Sequence, residues 1–520
     1  MGLYLGLDSS TQGLKAMLID AAGGAIVATA AVNYSQELPL YQCPNGFLAD
    51  HDPLVKRSDP LMWAEALDLV LDKLRSSGAP LDEVKGVSGS GQQHGSVYVD
   101  ASFERRLRGG GETGLAERVR PALTRRAAPI WMDSSTSVEC REITAAVGDK
   151  ALRELTGSPA VERFTGPQIR KFFKEEPEAY GKTDRVHLVS SFMASLLVGA
   201  NAPIDFGDGS GMNLFNLKTL KWDEAIAAAT APGLLEKLPP AVASGTVVGG
   251  LASYFARYGL RPGVPVLAWS GDNPCSLVGM GAAAPGTAVI SLGTSDTFFA
   301  ALTQPATDPA GYGHVFGNPA GGFMCLICFK NGSLARERVK ELLGVDWEFF
   351  GGEAFATSEP GCRGNLMLPY FVPEITPLAL STGPRYRGDD AFIAGGGAPA
   401  ERIRAVVEAQ ALSMKLHSGW IGGGFRRIRV TGGASRSPGV CQTLADVFQA
   451  PLEKISVPDS ATLGAAMLAA RAVGGHGWEE LAGKFAATSV TVEPDRSLAG
   501  LYAGRLEAFA AFERETLAAP

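Results

Sequence analysis

Five times along this chain a short apolar run stops abruptly in a cluster of glycine, hydroxyl and acidic residues. Leu3 to Leu7 runs into Asp8, Ser9, Ser10, Thr11, Gln12 and Gly13, and Val84 to Ser88 runs into Gly89, Ser90, Gly91, Gln92, Gln93, His94 and Gly95. Val264 to Trp269 ends in Ser270, Gly271, Asp272, Asn273 and Pro274. Ala288 to Ile290 ends in Ser291, Leu292, Gly293, Thr294, Ser295, Asp296 and Thr297, and Ile428 to Val430 in Thr431, Gly432, Gly433, Ala434 and Ser435. Runs this short and apolar are strands of a buried sheet. The clusters that end them are tight turns or places where backbone comes close to a ligand. The 64 glycines among 520 residues exceed the usual share of about 7%. They follow no three-residue period, so the excess belongs to turns and loops and not to a collagen-like fibre.

Between the strands stand amphipathic helices. Asp59 reads as an N-cap with Pro60 at the first helical position. Trp63, Ala66, Leu67, Val70, Leu71 and Leu74 then repeat at helical spacing. Ser437 and Pro438 open a helix through Val440, Leu444 and Val447, Leu452 to Val457 reads as a strand, and Ser460 to Val473 as a helix. Strands alternating with such helices predict α/β layering, and the length predicts at least two domains. The unit of strand, hydroxyl-rich turn and second strand occurs near position 1 and again near 288, a symmetry of architecture with slight sequence identity. The Gly/Ala/Pro run from 279 to 286 predicts the boundary between domains 1–283 and 284–520. Glu104 to Ala128, rich in Arg, Gly and Glu, predicts an exposed insertion, and Ala391 to Ala400 a loop.

A formal charge of −7 argues against a general nucleic-acid binder, which carries a basic patch. No basic leader segment is present at the start. The greasiest stretch, Val189 to Val198, falls far short of the ~20 residues a membrane helix needs. These features predict a soluble cytoplasmic protein, monomer or homodimer, with neither a nucleic-acid nor a membrane partner. The 7 cysteines are odd in number and scattered, which fits a reducing compartment better than a disulfide framework. Cys325 and Cys328 form a C-x-x-C without a second pair at zinc-like spacing. They read as small apolar strand residues in preference to a redox pair.

Familiar nucleotide loops fail on spacing. The sole Gly-Lys-Thr, at 181–183, lacks the glycine five residues earlier that a Walker loop requires. Residues 89–95 are one residue too long for the dinucleotide fingerprint. Two hydroxyl-rich hairpin turns remain, Asp8 to Lys15 and Ser291 to Thr297. Either alone is adequately explained as a well-capped hairpin. Together with the third turn at 431–435 they suit phosphate oxygens, which bind backbone N–H groups and hydroxyls. Asp8, at a strand end, suits Mg²⁺, which takes one or two carboxylates and keeps much of its water. Lys15 can offset phosphate charge. Asp272 can accept a proton from an alcohol attacking a phosphoryl group, or simply make an Asx turn or helix cap. His94 suits a polyol or a structural hydrogen bond, and Arg163 a ligand or a surface ion pair.

The ordered set of motifs is more specific than any one of them. The motifs are Gly6 to Gln12, Ser88 to Ser96, Trp131 to Thr136, Glu162 to Gly166 and Asp208 to Leu214, followed by Gly271 to Pro274, Ser291 to Thr297, Phe329 to Leu334 and Thr431 to Ser435. In these segments the chain resembles the FGGY carbohydrate kinases over nearly its full length, and most of all the eukaryotic branch that acts on D-xylulose. The resemblance implies two actin-like ATPase (ribonuclease H-like) domains with a catalytic cleft between them. It implies transfer of the ATP γ-phosphate to the terminal hydroxyl of D-xylulose with Mg²⁺, giving D-xylulose 5-phosphate and ADP. By the same resemblance Asp272 takes the general-base place, and His94, Arg163, Asp272 and Asn273 the sugar-binding positions. Asp8 matches the Mg²⁺-linked acid, Thr11, Gln12 and Lys15 the first phosphate turn, and Gly293, Thr294 and Ser295 the second. Gly432, Gly433 and Ala434 match the adenosine-binding segment. Gln93 stands where bacterial members usually carry Met, and Lys15 replaces an Arg of several relatives, keeping the charge without the bidentate fork. A kinase for ribulose, glycerol or another polyol is the neighbouring alternative. A catalytically silent nucleotide sensor is the alternative of a different class.

Overall fold

The first three strands, β1 (Leu3–Ser9), β2 (Gly13–Asp20) and β3 (Ala25–Asn33), form an antiparallel meander whose first turn sets Asp8 opposite Lys15. The computed structural model describes residues 2–518. β1 is buried along its whole length because both of its faces are covered. Leu3, Leu5 and Leu7 join Trp63, Leu67 and Val70 of helix α1 (Pro60–Ser76) on one side. Asp59 accepts from the Leu61 N–H as the N-cap of α1, with Pro60 at the first position. After α1 comes β4 (Val84–Gly91), parallel to β1, with Asp8 beside Ser90 and Ser9 beside Gly91.

Helix α2 (Thr165–Glu175) precedes β5 (Val247–Gly250), β6 (Pro265–Leu267) and the short β7 (Ser270–Gly271), which leads directly into helix α3 (Asp272–Gly279). The sheet order is β5-β6-β4-β1-β2-β3, with β7 also alongside β4. The apolar run from Val264 to Trp269 is therefore not one strand. It breaks after Leu267 and pairing resumes at Ser270, which carries the chain outward to Asp272.

The second lobe repeats this plan. Strands β8 (Thr287–Leu292), β9 (Asp296–Leu302), β10 (His314–Gly317) and β11 (Phe323–Phe329) are antiparallel neighbours. Helices α4 (Ser333–Leu343) and α5 (Pro399–His417) follow. Then come β12 (Arg427–Gly432), α6 (Pro438–Phe448), β13 (Leu452–Ile455), α7 (Ser460–Gly474) and β14 (Thr488–Val492). The order β10-β11-β9-β8-β12-β13-β14 follows the first sheet around β8, with antiparallel strands on one side and two parallel strands and an antiparallel edge on the other; β10 is an extra edge strand beyond β11. The two lobes share one α/β architecture, and in each the glycine-rich turns lie at the carboxyl ends of parallel strands, where open α/β sheets bind ligands.

The lobes are not separated cleanly at the level of packing. Helix α7, late in the chain, lies on the first sheet: Leu463, Ala466 and Met467 pack against Tyr4, Met17 and Ile19. Gly6 allows this, since a methyl there would strike the Ala466 amide, 2.6 Å away. Between α3 and α7 the approach is closer still. A methyl on Gly279 would fall on the Ser460 carbonyl, and one on Gly464 on the Cys275 carbonyl.

The segment from Glu104 to Ala128 is only partly the exposed insertion expected. Within it a short helix, Leu115–Val119, buries Leu115 and Val119 in the same core as α1, and Arg118 stacks 4.7 Å from the Tyr254 ring. Ala391 to Ala400 begins inside a one-turn helix, Asp390–Ile393. Val189–Val198 is a 10-residue helix, and among the described residues no helix is long and apolar enough to cross a membrane. Cys325 and Cys328, three apart on β11, fall on opposite faces and are unlinked, as the strand reading expects.

Gly464→Ala is the test of the helix crossing. Helix propensity alone would stabilise by about 1 kcal/mol, whereas forcing a methyl into the contact should destabilise by about 1–3 kcal/mol. Denaturant unfolding of the variant gives the sign directly.

Candidate active site

The parallel pairing of β1, β4 and β7 brings Asp8, Ser90 and Asp272 to one edge of the first sheet. Ser270 lies beside Ser90 and Gly271 beside Gly91, so the first turn of α3 begins where β1 and β4 end. Ser90 Oγ donates to Asp8 Oδ1 at 2.7 Å. Asp272 is the first residue of α3; its Oδ1 accepts from the Asn273 backbone N–H (2.8 Å) and from Asn273 Nδ2 (3.1 Å). The carboxyl keeps a partial opening to solvent while lying deep among protein atoms. Burial pushes it up to about 7, the Asp8 charge adds to this, and the N–H groups of Asn273 and Gln93 oppose it. Burial likewise pushes Asp8 up to about 6 against the Ser90 hydroxyl and the Lys15 charge. Two further carboxyls stand behind them. Asp205 caps the turn that carries Asp208, accepting from the Asp208 N–H at 2.7 Å. Asp208 accepts from Ser190 Oγ (2.5 Å) and is held well above the usual range by burial and then by Asp205.

A polar strip runs from Asp272 toward the second lobe. Asn273 Nδ2 donates to Gln93 Oε1 at 2.9 Å, while Gln93 Nε2, though buried, has no protein partner. His94 follows in left-handed backbone (φ 70°), a conformation that costs an L-residue roughly 1–2 kcal/mol. Its Nδ1 lies 2.8 Å from the Gly211 carbonyl and its ring stacks on Phe164, 4.2 Å between centroids. Burial, and after it the Arg163 charge, holds His94 well below the usual imidazole range. Arg163, just ahead of α2, makes no ion pair among the described residues; its Nη2 lies 3.3 Å from His314 Nε2 at the start of β10.

The second and third glycine turns meet because β8 and β12 are parallel neighbours, with Leu292 beside Gly432. Gly432 is left-handed (φ 93°), and a side chain there would strike the Leu292 carbonyl. A cavity of about 700 Å³ opens beside them, lined by Gly293, Thr294, Gly433, Ala434, Trp347 and Phe350 among others. Ser295 and Gly432 flank this cavity without lining it. A buried bidentate pair fixes the second turn: Arg336 Nη1 to Asp296 Oδ2 at 2.7 Å and Nη2 to Oδ1 at 3.0 Å. The first turn lies apart from the cavity. Thr11 Oγ1 accepts from Trp131 Nε1 at 2.8 Å, Gln12 is exposed, and Lys15 is paired with Asp459, the residue ahead of α7.

The N-terminal domain model of the FGGY family of carbohydrate kinases matches residues 123–279, and the C-terminal domain model of that family matches residues 288–473. The chain belongs to the FGGY family of carbohydrate kinases. It is 40% identical to a xylulose kinase of Rattus norvegicus over 99% of this chain and 97% of that one. It is 39% identical to xylulose kinase 2 of Arabidopsis thaliana over 92% and 87%. In fold it superposes on the crystal structure of a xylulose kinase from Rhodospirillum rubrum with a TM-score of 0.83 and 22% identity, covering 99% of this chain and 98% of that one.

Several residues of this FGGY kinase escaped the sequence reading. Ser90 sat within a recognised motif, but only the register of β4 shows that it serves Asp8. Asp208 opened a recognised motif without an assigned role and Asp205 looks like an ordinary turn residue; only the fold sets the two together and brings Asp208 near Asp272. His314 and Arg336 carry no local signal at all, because their partners lie 151 and 40 residues away.

A carboxyl raised by burial destabilises the fold once it ionises. Below about pH 4 Asp272 is protonated folded or unfolded; between there and about 7 the unfolded chain ionises first, and stability falls until both states are ionised. Asp272→Asn removes this loss. The variant should melt above the wild type at pH 8, with an advantage that shrinks toward pH 4; calorimetry across that range tests it.

Proposed function

We propose that this FGGY kinase transfers the γ-phosphate of ATP to the terminal hydroxyl of D-xylulose, with Asp272 as the general base. The observation that carries this reading is the position of Asp272. It is a carboxyl at the start of α3, raised toward neutrality by burial and by Asp8, and hydrogen-bonded through Asn273 to Gln93, the residue before His94. The near-full-length relatives named xylulose kinase supply the sugar.

In this reaction the sugar lies along the strip. The free Nε2 of Gln93 offers N–H donors to its hydroxyls and Asn273 its amide oxygen as an acceptor, since the Asn273 NH₂ is taken by Gln93 and Asp272. His94 offers the ring nitrogen not committed to Gly211, and Arg163 its remaining N–H groups. Asp272 orients the attacking hydroxyl and takes its proton late, since an alcohol is far less acidic than a carboxyl. Adenosine occupies the 700 Å³ cavity against Gly433 and Ala434, with Trp347 as an aromatic wall. Gly293, Thr294 and Ser295 present N–H and hydroxyl groups to the phosphates from one side, and Thr11, Gln12 and Lys15 from the other. The first-turn residues reach the nucleotide by closure of the lobes, which also excludes water and limits idle ATP hydrolysis. Residues 1–283 thus act as the sugar and first-phosphate unit, and 284–520 as the nucleotide unit.

Asp8 fits a Mg²⁺ link. One of its oxygens is held by Ser90, no cation pairs with it among the described residues, and it stands beside a second carboxyl. An ion there would be held by one carboxylate, water and phosphates. Bound there, Mg²⁺ would offset phosphate charge. The seven unlinked cysteines suit a reducing, cytoplasmic setting.

A coupled ADP-release assay over D-xylulose, ribulose and glycerol tests the substrate: D-xylulose should give by far the highest kcat/KM, and a preference for either of the others overturns the assignment. Asp272→Asn should lose roughly 10²-fold or more in turnover while ATP still binds. In the wild type, kcat/KM for the sugar should fall with decreasing pH below about 7, as one group takes a proton.

A further inference from the structure

Arg163 is the one sugar-side residue oriented from the opposite lobe. Its guanidinium has a single hydrogen-bond partner among the described residues, His314, which is buried. Since Arg donates only, His314 Nε2 must be the bare, accepting nitrogen. The proton then sits on Nδ1, which lies 3.1 Å from Ser158 Oγ and donates to it. Burial and the Arg163 charge hold the imidazole down to about 3, so the acceptor stays neutral at any working pH.

The second lobe brings this histidine to a fixed place. Val315 N–H donates to the Gly157 carbonyl (3.1 Å) and Gly317 N–H to Ser210 Oγ (3.1 Å), docking β10 along the first lobe. The His314 ring also packs against Phe164, 5.3 Å between centroids, the same ring that carries His94. A carboxylate in place of His314 would fill the guanidinium fork and cancel its charge. A neutral ring nitrogen takes one of five N–H groups and leaves the others, with the full charge, for a ligand.

We propose that His314 is a positioning residue for the acceptor sugar, fixing Arg163 from the second lobe so that the sugar site is complete only when β10 is docked. The proposal rests on the reading of Arg163 as a sugar contact. Steady-state kinetics with D-xylulose and ATP on Arg163→Ala, His314→Ala, His314→Gln and the double Ala variant test it, with melting curves alongside. His314→Ala should raise the sugar KM on the order of ten-fold with the ATP KM unchanged. His314→Gln should recover most of that loss, because its amide oxygen can accept from Arg163 while its NH₂ donates to Ser158. On the Arg163→Ala background the His314 change should add little.

An unchanged sugar KM in His314→Ala, with Arg163→Ala impaired, overturns the proposal, and so does equal loss in the Ala and Gln variants or full additivity in the double variant. If Arg163→Ala itself leaves the sugar KM unchanged, the sugar-contact reading of Arg163 fails first and the proposal fails with it. Should His314→Ala not fold, Ser158→Ala replaces it; it should raise the sugar KM alone, and an unchanged value contradicts the role.

Discussion

Helices α3 and α7 cross with backbone against backbone, Gly279 under the Ser460 carbonyl and Gly464 under that of Cys275. Much else hangs on this contact. Asp272 is the first residue of α3, and α7 is a long helix of the second half that rests on the first sheet, so their crossing sets where the Asp272 carboxyl stands relative to both lobes. Close-packed interiors transmit such constraints without much slack. Asp459, just ahead of α7, is paired with Lys15 of the first turn. The same helix that steadies Asp272 is thereby tied to the first glycine turn, and a shift of α7 would be felt at both.

The second constraint is electrostatic. Asp8, Asp205, Asp208 and Asp272 crowd the carboxyl ends of the first sheet's strands, and burial raises all of them. A fold selected only for stability would avoid such a group of acids. Here burial, and after it the Asp8 charge, raises the Asp272 carboxyl toward neutrality, the range in which a general base, the role proposed for it, works best. A divalent cation and the donors of Gln93 and Asn273 are the features that would let these acids ionise together.

The glycine turns were legible in the sequence because they are local: each apolar run and the polar cluster after it lie within about a dozen residues. The N-cap at Asp59, the α/β alternation and the rejection of both familiar nucleotide loops came from spacing alone. The roles proposed for Asp8, Asp272, His94 and Arg163 rest on ordered motifs, not on any one residue. What stayed hidden is non-local. Nothing near His314 announces that it will meet Arg163, and nothing near Arg336 announces a buried pair with Asp296. The break in the strand from Val264 to Trp269 was invisible because its residues are apolar throughout; only pairing with β4 shows where it ends. The insertion from 104 to 128 misled because its charged composition masks Leu115 and Val119, which reach the core from a short helix.

The most direct test of a base held near neutrality by burial and a neighbouring acid is its own titration. In protein labelled with ¹³C at aspartate carboxyls, the resonance absent from Asp272→Asn identifies the group. Its chemical shift should report a pKa of about 7 in the free enzyme, falling when Mg²⁺ and a non-hydrolysable ATP analogue are added. A carboxyl titrating near its ordinary value of about 4, and indifferent to metal and nucleotide, would contradict it.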